Sequence, residues 1–96
     1  MNDAESVAPE VEIVVAGIKD EVTTATVEHI VRGMFSERRI SGKWVVGVAP
    51  SDTRGRWDLQ LQGPSHRHVV SFTTSIKTLP EVLTTNLKRA LEQIAP

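Results

Sequence analysis

Between Lys43 and Thr73 apolar and polar residues alternate in three successive segments, and a side-chain period of two leaves a narrow choice of fold. Trp44, Val46 and Val48 share one parity, Trp57, Leu59 and Leu61 a second, and Val70 and Phe72 fall in step with His68. A long loop around Gly55 separates the first two segments, and Gly63-Pro64-Ser65-His66 reads as a turn between the second and third. Placing Gln62 opposite Arg67 across that turn pairs Trp57 with Phe72, Leu59 with Val70 and Leu61 with His68. Placing Trp44 opposite Leu61 pairs Val46 with Leu59 and Val48 with Trp57. Both registers send the same side chains to one face. A slip of one residue would turn that whole face to water, so the agreement predicts an antiparallel meander packed on one side. The other side, which includes Val45, Gly47, Asp58, Gln60 and Val69, is mostly polar, as in a sheet wetted on one face.

The flanking segments read as material that covers the apolar face. Val11 to Ile18 is rich in β-branched residues on both parities, which predicts a strand covered at least in part on both faces. Asp20 is placed to cap a helix starting near Glu21. Val27, Ile30, Val31, Met34 and Phe35 form its apolar stripe. Glu28 and Arg32 are spaced as an i,i+4 pair on its wet side, worth about 0.3 kcal/mol. Arg38 and Arg39 suit its negative end, and Ser41-Gly42 is expected to stop it. A second helix opens at Thr78-Leu79-Pro80-Glu81, where Thr78 and Glu81 have capping-box spacing, and continues with Leu83, Leu87, Ala90, Leu91 and Ile94 on one stripe. The expected fold class is therefore α+β, a two-layer sandwich of order β-α-β-β-β-α. It has a mostly antiparallel four-stranded sheet and two helices packed on one face. The first strand fits either parallel beside Lys43–Ala49 or antiparallel beside His68–Thr73. Residues 1–9, acidic and aperiodic, are expected to form a flexible tail, and residues 10–96 a single domain.

Composition narrows function more than it identifies it. Without cysteine there is neither a disulfide framework nor a thiolate ligand or nucleophile. The densest apolar run, Ile13 to Ile18, is too short to cross a bilayer, and the acidic start is unlike the positive opening of a secretory signal, so a cytoplasmic location without membrane contact is expected. The net charge of −1 conceals an asymmetry: residues 1–31 hold seven acids and one base, whereas residues 32–67 hold seven bases and three acids. Such a layout can steer an anionic partner to one side of a domain.

Catalytic and metal chemistry find little support. His66 and His68 have a ligand spacing, but the register puts His66 in a turn and His68 on the core face, with His29 on the polar side of the first helix. Asp58 and His68 lie on opposite faces of neighbouring strands and cannot form a relay. No nucleophile elbow or phosphate-cradling glycine loop is present, and the meander has no carboxylate pair, since Asp58 is its only strand acid. The expectation is a protein that is not an enzyme and uses no cofactor. Gly63-Pro64-Ser65-His66, set among three antiparallel strands and two helices, resembles the Gly-Pro-x-His turn of the double-stranded-RNA-binding domain. It lies one strand later than in that family, and Thr78-Leu79-Pro80-Glu81 stands where the family has lysines. The chain is not assigned to it. The functional expectation is a small binding or accessory domain acting through protein–protein contacts, self-association among them. The alternative is a nucleic-acid binder whose Arg38, Arg39, Lys43, Arg54, Arg56 and Arg67 contact phosphates.

Overall fold

The structure, a computed structural model, describes residues 10–94; the expected acidic tail lies outside the described residues. Six elements follow in order: β1 (Glu10–Val15), α1 (Glu21–Glu37), β2 (Lys43–Pro50), β3 (Arg56–Gln62), β4 (Arg67–Thr73) and α2 (Leu79–Ile94). The strands form one sheet in the order β1-β2-β3-β4, mostly antiparallel. Of the two places open to the first strand, it takes the parallel one beside β2, with α1 as the crossover.

The β3–β4 register is the one expected, with Trp57 opposite Phe72, Leu59 opposite Val70, Leu61 opposite His68 and Gln62 opposite Arg67. Between β2 and β3 the facing parity holds but the register differs by two residues. Val46 lies opposite Leu61, Val48 opposite Leu59, and Pro50 opposite Trp57. Two local causes account for the shift. The connecting loop is tight, closed by Ser51 N–H to the Arg56 carbonyl at 2.9 Å and Arg56 N–H to the Thr53 carbonyl at 3.0 Å. At the other end Trp44 gains the space above Gly63, where a Cβ would sit 2.5 Å from its ring. Pro50 is tolerated in an inner strand because its missing N–H faces the β1 side, beyond the last β1 bond from Ala16 N–H to the Val48 carbonyl. Gly17, at φ +79°, carries the chain away over the Pro50 ring, and a Cβ there would meet that ring at 2.6 Å.

β1 is shorter than the apolar run suggests, and only one of its faces is covered. Val11, Ile13 and Val15 pack against the core, whereas Val14 is 51% exposed on the opposite side. The expectation of partial cover on both faces fails because both helices lie on one side of the sheet and none of the described elements covers the other.

The helices begin where the sequence reading places them, but the end of α1 and the cap of α2 differ from it. Asp20 does cap α1: its carboxylate accepts from Val22 N–H at 3.2 Å and from the Thr23 hydroxyl at 2.6 Å. α1 ends at Glu37 with Arg38 as its C-cap, before Ser41-Gly42. Ile40 N–H reaches back to the Phe35 carbonyl and Arg39 N–H to the Ser36 carbonyl, with Arg39 at φ +54°. This is a Schellman ending, completed by the burial of Ile40 and Phe35, but with arginine where glycine is usual. The Glu28–Arg32 pair does not form, since Arg32 Nη1 donates to the Val11 carbonyl at 3.1 Å. At α2 the Thr78 hydroxyl meets Thr74 Oγ1 at 2.6 Å, so the expected capping box is replaced by a threonine–serine cluster. Leu79 adds a fully buried residue ahead of the expected stripe.

Val27, Val31 and Phe35 from α1, and Leu79, Leu83, Leu87, Ala90 and Leu91 from α2, close one contiguous core over Trp44, Val46, Val48, Trp57, Leu59, Leu61 and Phe72. The core is wholly apolar among the described residues. Both tryptophans are consumed by folding: Trp44 is 3% exposed and Trp57 5%.

Candidate functional site

One face of the sheet carries no helix, and the registers fix what it displays. Successive cross-strand rows read Glu12–Val45–Gln62–Arg67, then Val14–Gly47–Gln60–Val69, then Ala49–Asp58–Ser71. Val14, Val45 and Val69 are all substantially exposed. Over Gly47 lies a shallow trough of about 290 Å³, walled by Val14, Val45, Gln60 and Gln62 and closed at one end by Asp58, while Val69 stands outside it, across Gln60. The Ser71 hydroxyl donates to Asp58 Oδ1 at 2.6 Å and fixes that carboxylate.

Gly47 is the informative residue. Glycine inside a strand destabilises by about 0.5–1 kcal/mol relative to alanine, and is ordinarily explained by an unusual φ or a close neighbour. Neither applies. Its φ is not positive, and a Cβ would find only the Gln60 Cβ, at 3.9 Å. Gly33 has similar freedom, but it lies on α1 and not on the open face of the sheet. The fold has room for a side chain at 47 and the sequence withholds one, which leaves the trough open to a group from outside. A glycine in mid-strand is the available signal. In the linear string it reads as punctuation, because only the register shows it flanked by exposed valines.

The six basic candidates do not gather into one surface. Arg39, Lys43 and Arg67 are exposed at the end of the sheet where β2 and β4 begin, and Arg38 caps α1 at that same end. Arg54 and Arg56 are exposed at the opposite end, six residues along β3 from Gln62, or about 20 Å away. That span exceeds the Debye length of about 8 Å at physiological salt, so the two groups do not act as one field. Acids also interrupt them. Lys43 pairs across strands with Glu10, Arg38 Nη2 lies 3.9 Å from Glu92 Oε2, and Asp58 sits between Arg56 and Gln60 on the open face.

His66 and His68 diverge. His66 stacks on the Trp44 indole with ring centroids 6.4 Å apart, and contacts Ser65 Oγ through Nδ1 at 3.3 Å, whereas His68 is half-buried on the core side. Among the described residues no three His, Asp or Glu side chains are grouped to hold a metal ion. No described helix is long and apolar enough to cross a membrane. The Asp20 carboxyl pKa is held low mainly by the Thr23 hydroxyl and then by Val22 N–H, and this group belongs to the helix cap. Comparison with known protein families and with curated proteins finds no match to this sequence.

Proposed function

We propose that this chain is a small non-catalytic binding domain that docks a protein partner on the open face of its sheet, with the Gly47 trough at the centre of the contact. The observation that carries this reading is the unfilled glycine between two exposed valines, Val14 beside it on β1 and Val45 two residues before it on β2. A floor without a side chain flanked by apolar walls admits one apolar side chain of a partner. The amides of Gln60 and Gln62 and the Asp58 carboxylate supply polar contacts around it, the usual division of an interface into apolar centre and polar rim. The face also carries unlike charges on its two sides, Glu12 on β1 against Arg67 on β4 in the same cross-strand row, which would orient a partner. Phosphate-backbone binding receives less support, because the basic residues divide between two ends and both tryptophans are too buried to stack on a base.

The test fills the trough without harming the fold. Gly47→Thr places a β-branched side chain in an inner strand with room for it, and is expected to raise stability by about 0.5–1 kcal/mol. A photo-crosslinking residue at Val45 should then yield protein adducts in the original background that Gly47→Thr removes. The same probe at Val22, 73% exposed on α1, gives the non-specific level. Adducts indifferent to Gly47→Thr would overturn the reading. So would tight binding to duplex or single-stranded nucleic acid that weakens steeply between low and moderate salt.

A further inference from the structure

The two edges of the sheet are treated differently. On β1, alternate backbone groups face outward, those of Val11, Ile13 and Val15, because Glu10 N–H and Ala16 N–H both bond inward to β2. That edge is blunted, since Arg32 occupies the Val11 carbonyl and Glu10 and Glu12 charge the strand. On β4, the bonds from Gly63 N–H to the His66 carbonyl and from Thr74 N–H to the Gly55 carbonyl fix the alternation. The groups of His68, Val70 and Phe72 turn to β3, and those of Arg67, Val69, Ser71 and Thr73 turn outward. No described residue bonds these outward groups. The strand has no proline, no bulge and no acid, and its only arginine is at one end.

We infer that β4 is a self-pairing edge, and that two copies of this chain join their sheets across it, antiparallel, with Val70 on the two-fold axis. The register follows from the free groups. Only an outward residue can exchange bonds with an outward residue, so Arg67, Val69, Ser71 and Thr73 must pair among themselves. With Val70 on the axis, Arg67 meets Thr73 and Val69 meets Ser71, so all four residues of both copies are used. With Val69 or Ser71 on the axis, an end residue is left facing Ser65 or Ser75, outside the strand. The chosen register sets Arg67 opposite a neutral threonine and opposes no like charges. It keeps the core sides of both copies together, and their open faces become one continuous surface. A two-fold contact of this kind is self-complementary, with each residue meeting its counterpart reciprocally. The inference adds a second surface to the protein-contact reading and is tested separately from the trough.

The chain has no cysteine, so one introduced at a chosen position reports the pairing without interference. Val70→Cys places two thiols across a non-hydrogen-bonded pair, where Cα atoms are about 4.5 Å apart, within disulfide reach. Val69→Cys in the same register has its counterpart about 8 Å away, beyond that reach, although Val69 is the more exposed residue. Oxidation should therefore cross-link Val70→Cys in preference to Val69→Cys, the reverse of what exposure and random collision would give. Sedimentation of the unmodified protein should show a mass rising to twice the monomer value with concentration. Val69→Pro removes an outward N–H without touching a β3 bond and should weaken that association about tenfold or more. A monomer at every concentration, or cross-linking that favours the Val69→Cys variant over Val70→Cys, would overturn the inference; both readouts stand if Val69→Pro does not fold. A monomer that still gives Gly47-dependent adducts would sink the edge pairing and leave the docking face intact. A dimer whose adducts ignore Gly47→Thr would do the opposite.

Discussion

A single methyl group at Gly63 tests the packing of the whole meander. A Cβ there falls 2.5–2.6 Å from Cζ2, Cε2 and Cη2 of Trp44, well inside any tolerable contact. The indole has no easy retreat. Its Nε1 donates to the Ser41 carbonyl at 2.9 Å, Phe35 packs edge-on with centroids 5.6 Å apart, and His66 covers it from outside. Backbone conformation is not at issue, because Gly63 is not at positive φ. Alanine would even gain about 0.4–1 kcal/mol by restricting the unfolded chain. Against that gain stand about 1–3 kcal/mol for overpacking and about 1 kcal/mol for the indole hydrogen bond if the ring is displaced. Gly63→Ala should therefore destabilise by about 1–3 kcal/mol, read as a lower urea midpoint with an unchanged slope. Each kcal/mol corresponds to a fall of about 4–8 °C in Tm for a domain of this size. The decisive comparison is a double-mutant cycle. In a Trp44→Leu background the methyl has space, so Gly63→Ala should be neutral or slightly stabilising and the coupling about 2 kcal/mol. An equal cost in both backgrounds, or no cost in the original chain, would refute the reasoning.

Two further outcomes follow from the ends of α1. Arg39 sits at φ +54°, where an L-residue is strained by about 1–2 kcal/mol; Arg39→Gly relieves that strain but frees the unfolded chain, so a net stabilisation of about 0.5–1 kcal/mol is expected in chemical denaturation. Asp20 is held below the ordinary carboxyl pKa by the Thr23 hydroxyl and Val22 N–H, so its folded form prefers the carboxylate. A lowered folded pKa contributes stability that is present above the ordinary carboxyl range and lost as pH falls through the folded value. Asp20→Asn should accordingly flatten the acid limb of a Tm-versus-pH curve and leave the neutral region less affected, whereas an unchanged acid limb would count against the cap as its source.

What the sequence discloses is the order of elements, the facing of the three meander strands and the β3–β4 register. These rest on a period of two combined with a four-residue turn, both visible in a linear string. The β2–β3 register is not legible in the same way, because parity cannot distinguish shifts of two. Only the bulk of Trp44 against the emptiness of Gly63 separates them, and that is a three-dimensional fit. The end of α1 falls earlier than expected because glycine is the usual residue at a left-handed ending, and here arginine takes that position while Gly42 serves the next turn, at φ +96°. The basic candidates can be picked out of the string as cations, but their division between two ends of the sheet depends on strand direction. The trough is illegible for a related reason: Val14, Gly47 and Gln60 stand 33 and 13 residues apart and become neighbours only through the β1–β2 and β2–β3 registers.

The parallel pairing of β1 with β2 also sets a schedule during synthesis. The meander can close from its own turns, each strand meeting a partner just made, but β1 ends at Val15 and its partner is complete only at Pro50. At about 5–20 residues per second, those 35 residues keep the ladder of β1 unmatched for about 2–7 s. A strand reading Val11-Glu12-Ile13-Val14-Val15 left open for seconds is a template for unwanted pairing with other nascent chains. Glu10 and Glu12 act as gatekeepers through that interval, charging the strand on the side that stays wet after folding, where they cost the finished core nothing.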